Sequence, residues 1–157
     1  MTDTGELRHA FRTLLDAAAT VAGTSVRPPD GWNADQILAH VALVNAATIA
    51  AVSSVAAGAI TTYDNRLASD SWTIDRVIGL AGGNLGLRER IRRQGEALEA
   101  LVGPALSDTE LDTPIPALLI SGNTVLVDRP LPLRDIITGL AQVELPGHAK
   151  QLLDLHP

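Results

Sequence analysis

Apolar residues recur at helical spacing over four stretches of this chain. In the first, Leu7, Phe11, Leu14, Leu15, Ala18 and Val21 fall three and four apart and line one face, so a helix is expected over residues 6–21. His9 lies off that stripe and is expected at the surface. Residues 23–31 form a connection, where Pro28-Pro29 bars helix. The second stretch opens with a start signal. Asn33 is a good N-cap, Gln36 follows three residues on, Asp35 sits in the first turn, and Trp32 stands where a hydrophobic staple would. The run from Ile37 to Val55 then has no charged face, and a helix apolar on most sides is buried on most sides. Residues 58–70 read as a loop. From near Trp72 a third helix is expected through Ile74, Val77, Ile78 and Leu80. Gly82-Gly83 and Gly86 interrupt it, and residues 87–101 resume the period. The pattern predicts one long helix with a weak or kinked middle, or two helices in line.

Residues 104–116 read as a connection. Two β-rich runs within residues 117–127 flank Ser121-Gly122-Asn123, which predicts a β-hairpin. The last helix is expected over residues 133–155, with Ile136, Ile137, Leu140, Val143, Leu152 and Leu155 at helical spacing. The expected order is helix, helix, helix, hairpin, helix. For 157 residues this implies one all-α domain spanning residues 1–157, a four-helix bundle with a short β-hairpin inserted before the last helix.

Composition and charge narrow the function. The chain is 46% hydrophobic but only 3% aromatic, with a net charge of −6. Small aliphatic residues suit close-packed helices. An acidic chain without a basic stripe argues against nucleic acid, whose affinity comes mostly from phosphate neutralisation. The one basic cluster, Arg88, Arg90, Arg92 and Arg93, is interleaved with Glu89, Glu96 and Glu99 and reads as a solvated helix face. There is no cysteine, so thiolate ligands, disulfides and thiol nucleophiles are excluded. Residues 36–63 carry no Asp, Glu, Lys or Arg and are long enough to span a bilayer. Their alanine content, His40, Asn45 and missing flanks favour a buried central helix instead. The N-terminus has no apolar signal core, so a cytoplasmic protein is expected.

The candidate chemistry lies in Glu144-Leu-Pro-Gly-His148. On a helix, residues four apart share a face, so Glu144 and His148 are placed to share one cation. His40, buried one turn into the second helix, is the best third ligand. Two imidazoles and a carboxylate suit a divalent metal and leave a fourth position open. The spacing alone admits another reading, in which His40 is a hydrogen-bonded core histidine and Glu144 and His148 form a surface pair. Pro146 leaves two outcomes open. It cannot donate to the carbonyl of Gln142, a loss of roughly 3 kcal/mol within a helix. Either the helix kinks and still aims both ligands at His40, or it breaks and Pro146 begins a new helix. Asn45, Asn84 and Gln151 are polar residues available to support ligands or substrate. There is no serine–histidine–acid arrangement, P-loop or dinucleotide fingerprint.

Trp32-Asn-Ala-Asp-Gln-Ile-Leu-Ala-His40-Val resembles the second-helix motif of the DinB/YfiT-like metal-dependent helical bundle superfamily. Glu144-xxx-His148-xx-Gln151-Leu is similar to its last-helix motif. The His, Glu, His combination looks most like the mycothiol-dependent maleylpyruvate isomerase branch, and the element order extends the resemblance over nearly the whole chain. The resemblance implies a four-helix bundle holding a divalent metal, zinc or nickel, through His40, Glu144 and His148, frequently as a homodimer. It also implies activation of a low-molecular-weight thiol, mycothiol or bacillithiol, for S-transfer. The isomerase's additional C-terminal domain has no counterpart in these 157 residues, so isomerase activity itself is not expected. The rival expectation is a non-catalytic, dimeric small-ligand binder with a vestigial metal site.

Overall fold

The second helix, α2 (Ala34–Ala56), is the element around which the rest packs, and the reason is its lack of a polar face. In the computed structural model, which describes residues 4–156, its buried side chains extend around most of its circumference, among them Ile37, Leu38, Val41, Val44, Ala51 and Val52. It is long and apolar enough to cross a membrane, yet 61% of its most apolar window is buried within the protein. Its start is as the sequence predicts. The Asn33 side chain accepts from the Gln36 backbone N–H at 2.9 Å, and the Gln36 side chain accepts from the Asn33 N–H at 3.0 Å. This reciprocal box satisfies two of the otherwise unpaired amides at the helix start.

The chain is mostly helical with a small three-stranded sheet. Helix α1 (Gly5–Thr20) buries the expected stripe of Leu7, Phe11, Leu14 and Ala18, and His9 is exposed. Helix α3 (Ser71–Ala81) is followed by α4 (Asn84–Val102), and a single turn, α5 (Asp108–Leu111), lies in the connection after them. The last helical run comprises α6 (Leu133–Gly139), a π-helical turn (Leu140–Glu144) and α7 (Leu145–Leu153). α2 packs against both α4 and α7, α1 packs against the same two, and α3 flanks α2. Arg92 and Arg93 pair with Glu89, and Arg92 also with Glu96, so the basic cluster on α4 is an exposed ion-pair face.

The interruption between α3 and α4 is a full break with defined chemistry. Gly82 is left-handed at φ 80°, its N–H bonds to the Gly79 carbonyl, and the Gly83 N–H reaches back to Ile78. Those two bonds make a Schellman cap. Of the two outcomes the pattern allows, one kinked helix or two helices, the chain takes the second.

The hairpin is longer than its sequence signal. β2 (Pro114–Ser121) and β3 (Thr124–Pro132) pair antiparallel around the two-residue turn Gly122-Asn123, with a bulge that leaves Leu126 unmatched. A third strand, β1 (Tyr63–Asp64), pairs parallel with β2 from within the stretch that reads as a loop. Tyr63 carries this strand into the core. Thr48 spends its hydroxyl hydrogen on the Val44 carbonyl, so the Tyr63 hydroxyl donates to Thr48 at 3.1 Å. Burial raises the Tyr63 pKa above its ordinary value. The folded state then holds this proton more tightly than the unfolded chain. Its contribution is complete below the unfolded pKa, about 10, and is lost as pH rises through the folded one. Tyr63→Phe should cost about 1 kcal/mol at neutral pH and should flatten the fall in urea midpoint between neutral and strongly alkaline pH. An unchanged alkaline slope would refute this role.

Candidate metal centre

His40 comes from the buried face of α2, and its orientation is set by a backbone group. The carbonyl of Ala68, in a short 3-10 turn (Arg66–Ser69), lies 2.6 Å from His40 Nδ1. A carbonyl only accepts, so Nδ1 carries the proton and Nε2 is left as a free donor atom. His148 is arranged in the same way. Its Nδ1 meets Gln151 Oε1 at 2.8 Å, and its Nε2 lies 3.4 Å from Glu144 Oε2. A hydrogen-bonded Nδ1 behind each imidazole, with Nε2 facing the site, is the arrangement that fixes histidine ligands.

Pro146 sets the path of the last helix. Around it the backbone stays in right-handed helical dihedrals: Gly139 at φ −59°, ψ −41°, Glu144 at −66°, −59° and Leu145 at −62°, −46°. The chain does not break. The Leu145 N–H instead bonds to the Leu140 carbonyl, five residues back. This wider turn removes the need for a donor at position 146 in the ordinary four-residue ladder, and it relieves the clash of the proline ring with the Gln142 carbonyl. Glu144 ends the π turn and His148 lies one α-turn beyond it, both on the side of His40. One ligand atom from each of His40, Glu144 and His148 lies within 4.8 Å of the others. The two imidazole rings meet edge to face with centroids 4.7 Å apart, and the Trp32 ring lies 4.9 Å from that of His40.

The electrostatics follow from burial and contact. His40 is 7% exposed, and burial pushes its pKa down against the opposing bond to Ala68. Burial also acts against charge on His148, but its bonds to Glu144 and Gln151 outweigh it and raise the pKa. Pairing with the protonated form of His148, whose Nε2 lies 3.4 Å away, holds the Glu144 carboxyl below its usual range. Near neutral pH the cluster offers a neutral imidazole at His40 and a carboxylate at Glu144. Glu144 is also its open side, with 44% of its side chain exposed. It borders a cleft of about 380 Å³ whose other walls include Trp32, Asn65, Ser69 and the hairpin residues Ile120 and Leu126.

Of the supporting polar residues singled out in the sequence, only Gln151 reaches the cluster. Asn45 is bonded to Gln94, and Asn84 to Asp35 and Arg88. The Ala68 carbonyl is a contributor that side-chain patterns cannot reveal, because any residue supplies one. Asn65 is another. Its amide clasps both the N–H and the carbonyl of Ile120, at 2.8 and 3.0 Å, and so ties the hairpin to the rim of the cleft.

Set beside known proteins, the chain matches no family model, no curated protein and no solved structure. The description that fold and site support is therefore a structural one: a mostly helical chain with a small sheet, and a His–Glu–His group able to hold a metal ion.

Proposed function

We infer that this protein is a divalent-metal-binding four-helix bundle of the DinB/YfiT-like kind, and that it works on a low-molecular-weight thiol of the mycothiol or bacillithiol type as an S-transferase. The observation that carries the metal reading is the convergence of three donors, with each imidazole held through its Nδ1 by a hydrogen-bond partner. The packing of α1 and α2 each against both α4 and α7 supports the bundle.

The donor set fits zinc or nickel, both of which accept imidazole and carboxylate. His40 and His148 would each give Nε2, and Glu144 a carboxylate oxygen. A divalent cation held there would supply Lewis acidity, lowering the pKa of a thiol or water. The remaining roles belong to the chain. Ala68 and Gln151 hold the two rings in the ligating tautomer. The cleft beside Glu144 admits a small molecule to the open side, and Asn65 fixes the hairpin at its rim.

Metal content tests the reading. Protein purified without a histidine tag should contain about one equivalent of metal by mass spectrometry. Stripped protein given zinc or nickel at a hundredfold excess over the dissociation constant should gain about 2.7 kcal/mol, which corresponds to roughly 5–10 °C in melting temperature for a chain of this size. No shift at saturating metal would remove the site, and the thiol chemistry with it. With metal shown, transfer assays using uncharged and anionic thiols would test the reaction.

A further inference from the structure

Beside the triad cleft, and sharing Glu144, Val143, Leu119 and Asn65 with it, lies a second cavity of about 180 Å³. Its walls are Val44 of α2, Leu119 of β2, Leu131 of β3, and Ile136 and Leu140 of the last helical run. Val44, Ile136 and Leu140 are all buried. Its neutral polar groups are already engaged, Tyr63 with Thr48 and Asn65 with Ile120. The remaining polar groups are two carboxylates, Asp135 and Glu144, and no Arg or Lys is among the described residues lining either cavity.

Gly139 also lines this chamber. Its dihedrals are those of an ordinary α-helix, so the backbone does not call for glycine, and a Cβ there would meet nothing within 4 Å. Glycine is the least favourable helix residue after proline. What it leaves at this position is room, next to the wide turn that ends at Glu144.

We propose that this chamber is a binding site for an uncharged ring, aromatic or alicyclic, which it holds beside Glu144 of the triad. Size and polarity both point that way. In size, an apolar cavity of roughly 150 Å³ is enough to take up benzene. An anionic ring would face the carboxylates of Asp135 and Glu144 with no Arg or Lys in the chamber wall to offset them. Ring binding rests on the chamber's own walls, and only its placement next to a reacting thiol rests on the metal reading above.

Phenol and benzoate, the same ring with and without charge, test it on metal-stripped protein by calorimetry and methyl NMR. Phenol should bind saturably, with a dissociation constant on the order of 1 mM or tighter, and should shift the methyl signals of Leu131, Ile136 and Leu140. Benzoate should bind at least about tenfold more weakly. Gly139→Leu, which fills the chamber, should weaken phenol at least about tenfold while taking up zinc as the wild type does. Gly139→Ala should give a smaller loss in the same direction, and it decides the matter if the leucine variant does not fold. Unsaturable phenol, equal affinity for benzoate, or wild-type phenol affinity in a folded Gly139 variant would overturn the proposal. Phenol binding by a protein that takes up no zinc would uphold the chamber while removing the metal reading.

Discussion

The His40→Ala protein should take up no stoichiometric zinc and should lose the metal-induced rise in melting temperature entirely. Changing a residue that merely orients a ligand costs about 10–100-fold in metal affinity, so removing one of three ligands should cost more than roughly 100-fold. His40 is the most telling of the three. It is the only one of the three proposed ligands outside the last helical run and the most buried, and no other described His, Cys, Asp or Glu forms such a group with Glu144 and His148. Its removal also leaves the Ala68 carbonyl without its 2.6 Å partner, so stripped His40→Ala should itself be less stable by about 1–3 kcal/mol. The metal-dependent part is read separately, as the difference in melting temperature with and without zinc. His148→Ala should behave likewise without orphaning Ala68. Undiminished zinc uptake in both variants would show that the cluster is an ordinary hydrogen-bonded group.

Gly86→Ala should destabilise the fold by about 3 kcal/mol or more, a fall of roughly 10 °C in melting temperature. Helix propensity argues the opposite, since alanine for glycine inside a helix gains about 1 kcal/mol. The local geometry decides. Gly86 lies in the first turn of α4, and a Cβ built there would fall 1.7 Å from the Ala81 carbonyl oxygen at the end of α3. That atom is backbone, held by the cap at Gly82 and Gly83, and it cannot swing aside as a side-chain tip can. Calorimetry on the single variant settles it, and a melting temperature equal to or above wild type would mean that the α3–α4 junction is loose.

The helices were legible because their causes are local. The apolar stripe of α1, the capping box at Asn33 and Gln36, and the charge-free run of α2 are each written within a few residues, and each forms as read. The one-turn helix α5 was missed: residues 104–116 read as a connection, although the capping box of Ser107 and Glu110 is a local mark of a helix start. β1 was not legible. Tyr63 and Asp64 become a strand only because β2 lies alongside them, and two residues carry no period of their own. The outcome at Pro146 was likewise open. Proline forbids one hydrogen bond, but whether the helix breaks or widens depends on whether the surrounding packing holds both sides of it in place.

The triad divides along the same line. By itself the sequence determined which residue types stood ready, a buried His40 on one helix and Glu144 and His148 at one-turn spacing on another, because burial and helical period are properties of short segments. Only the tertiary structure decided that they meet. Their convergence needs α2 packed against α7, a π turn that carries the chain past Pro146, and an Ala68 carbonyl that turns His40 Nε2 inward. Each of these depends on groups distant in sequence coming to rest within hydrogen-bonding or van der Waals reach, and no local pattern encodes such a distance.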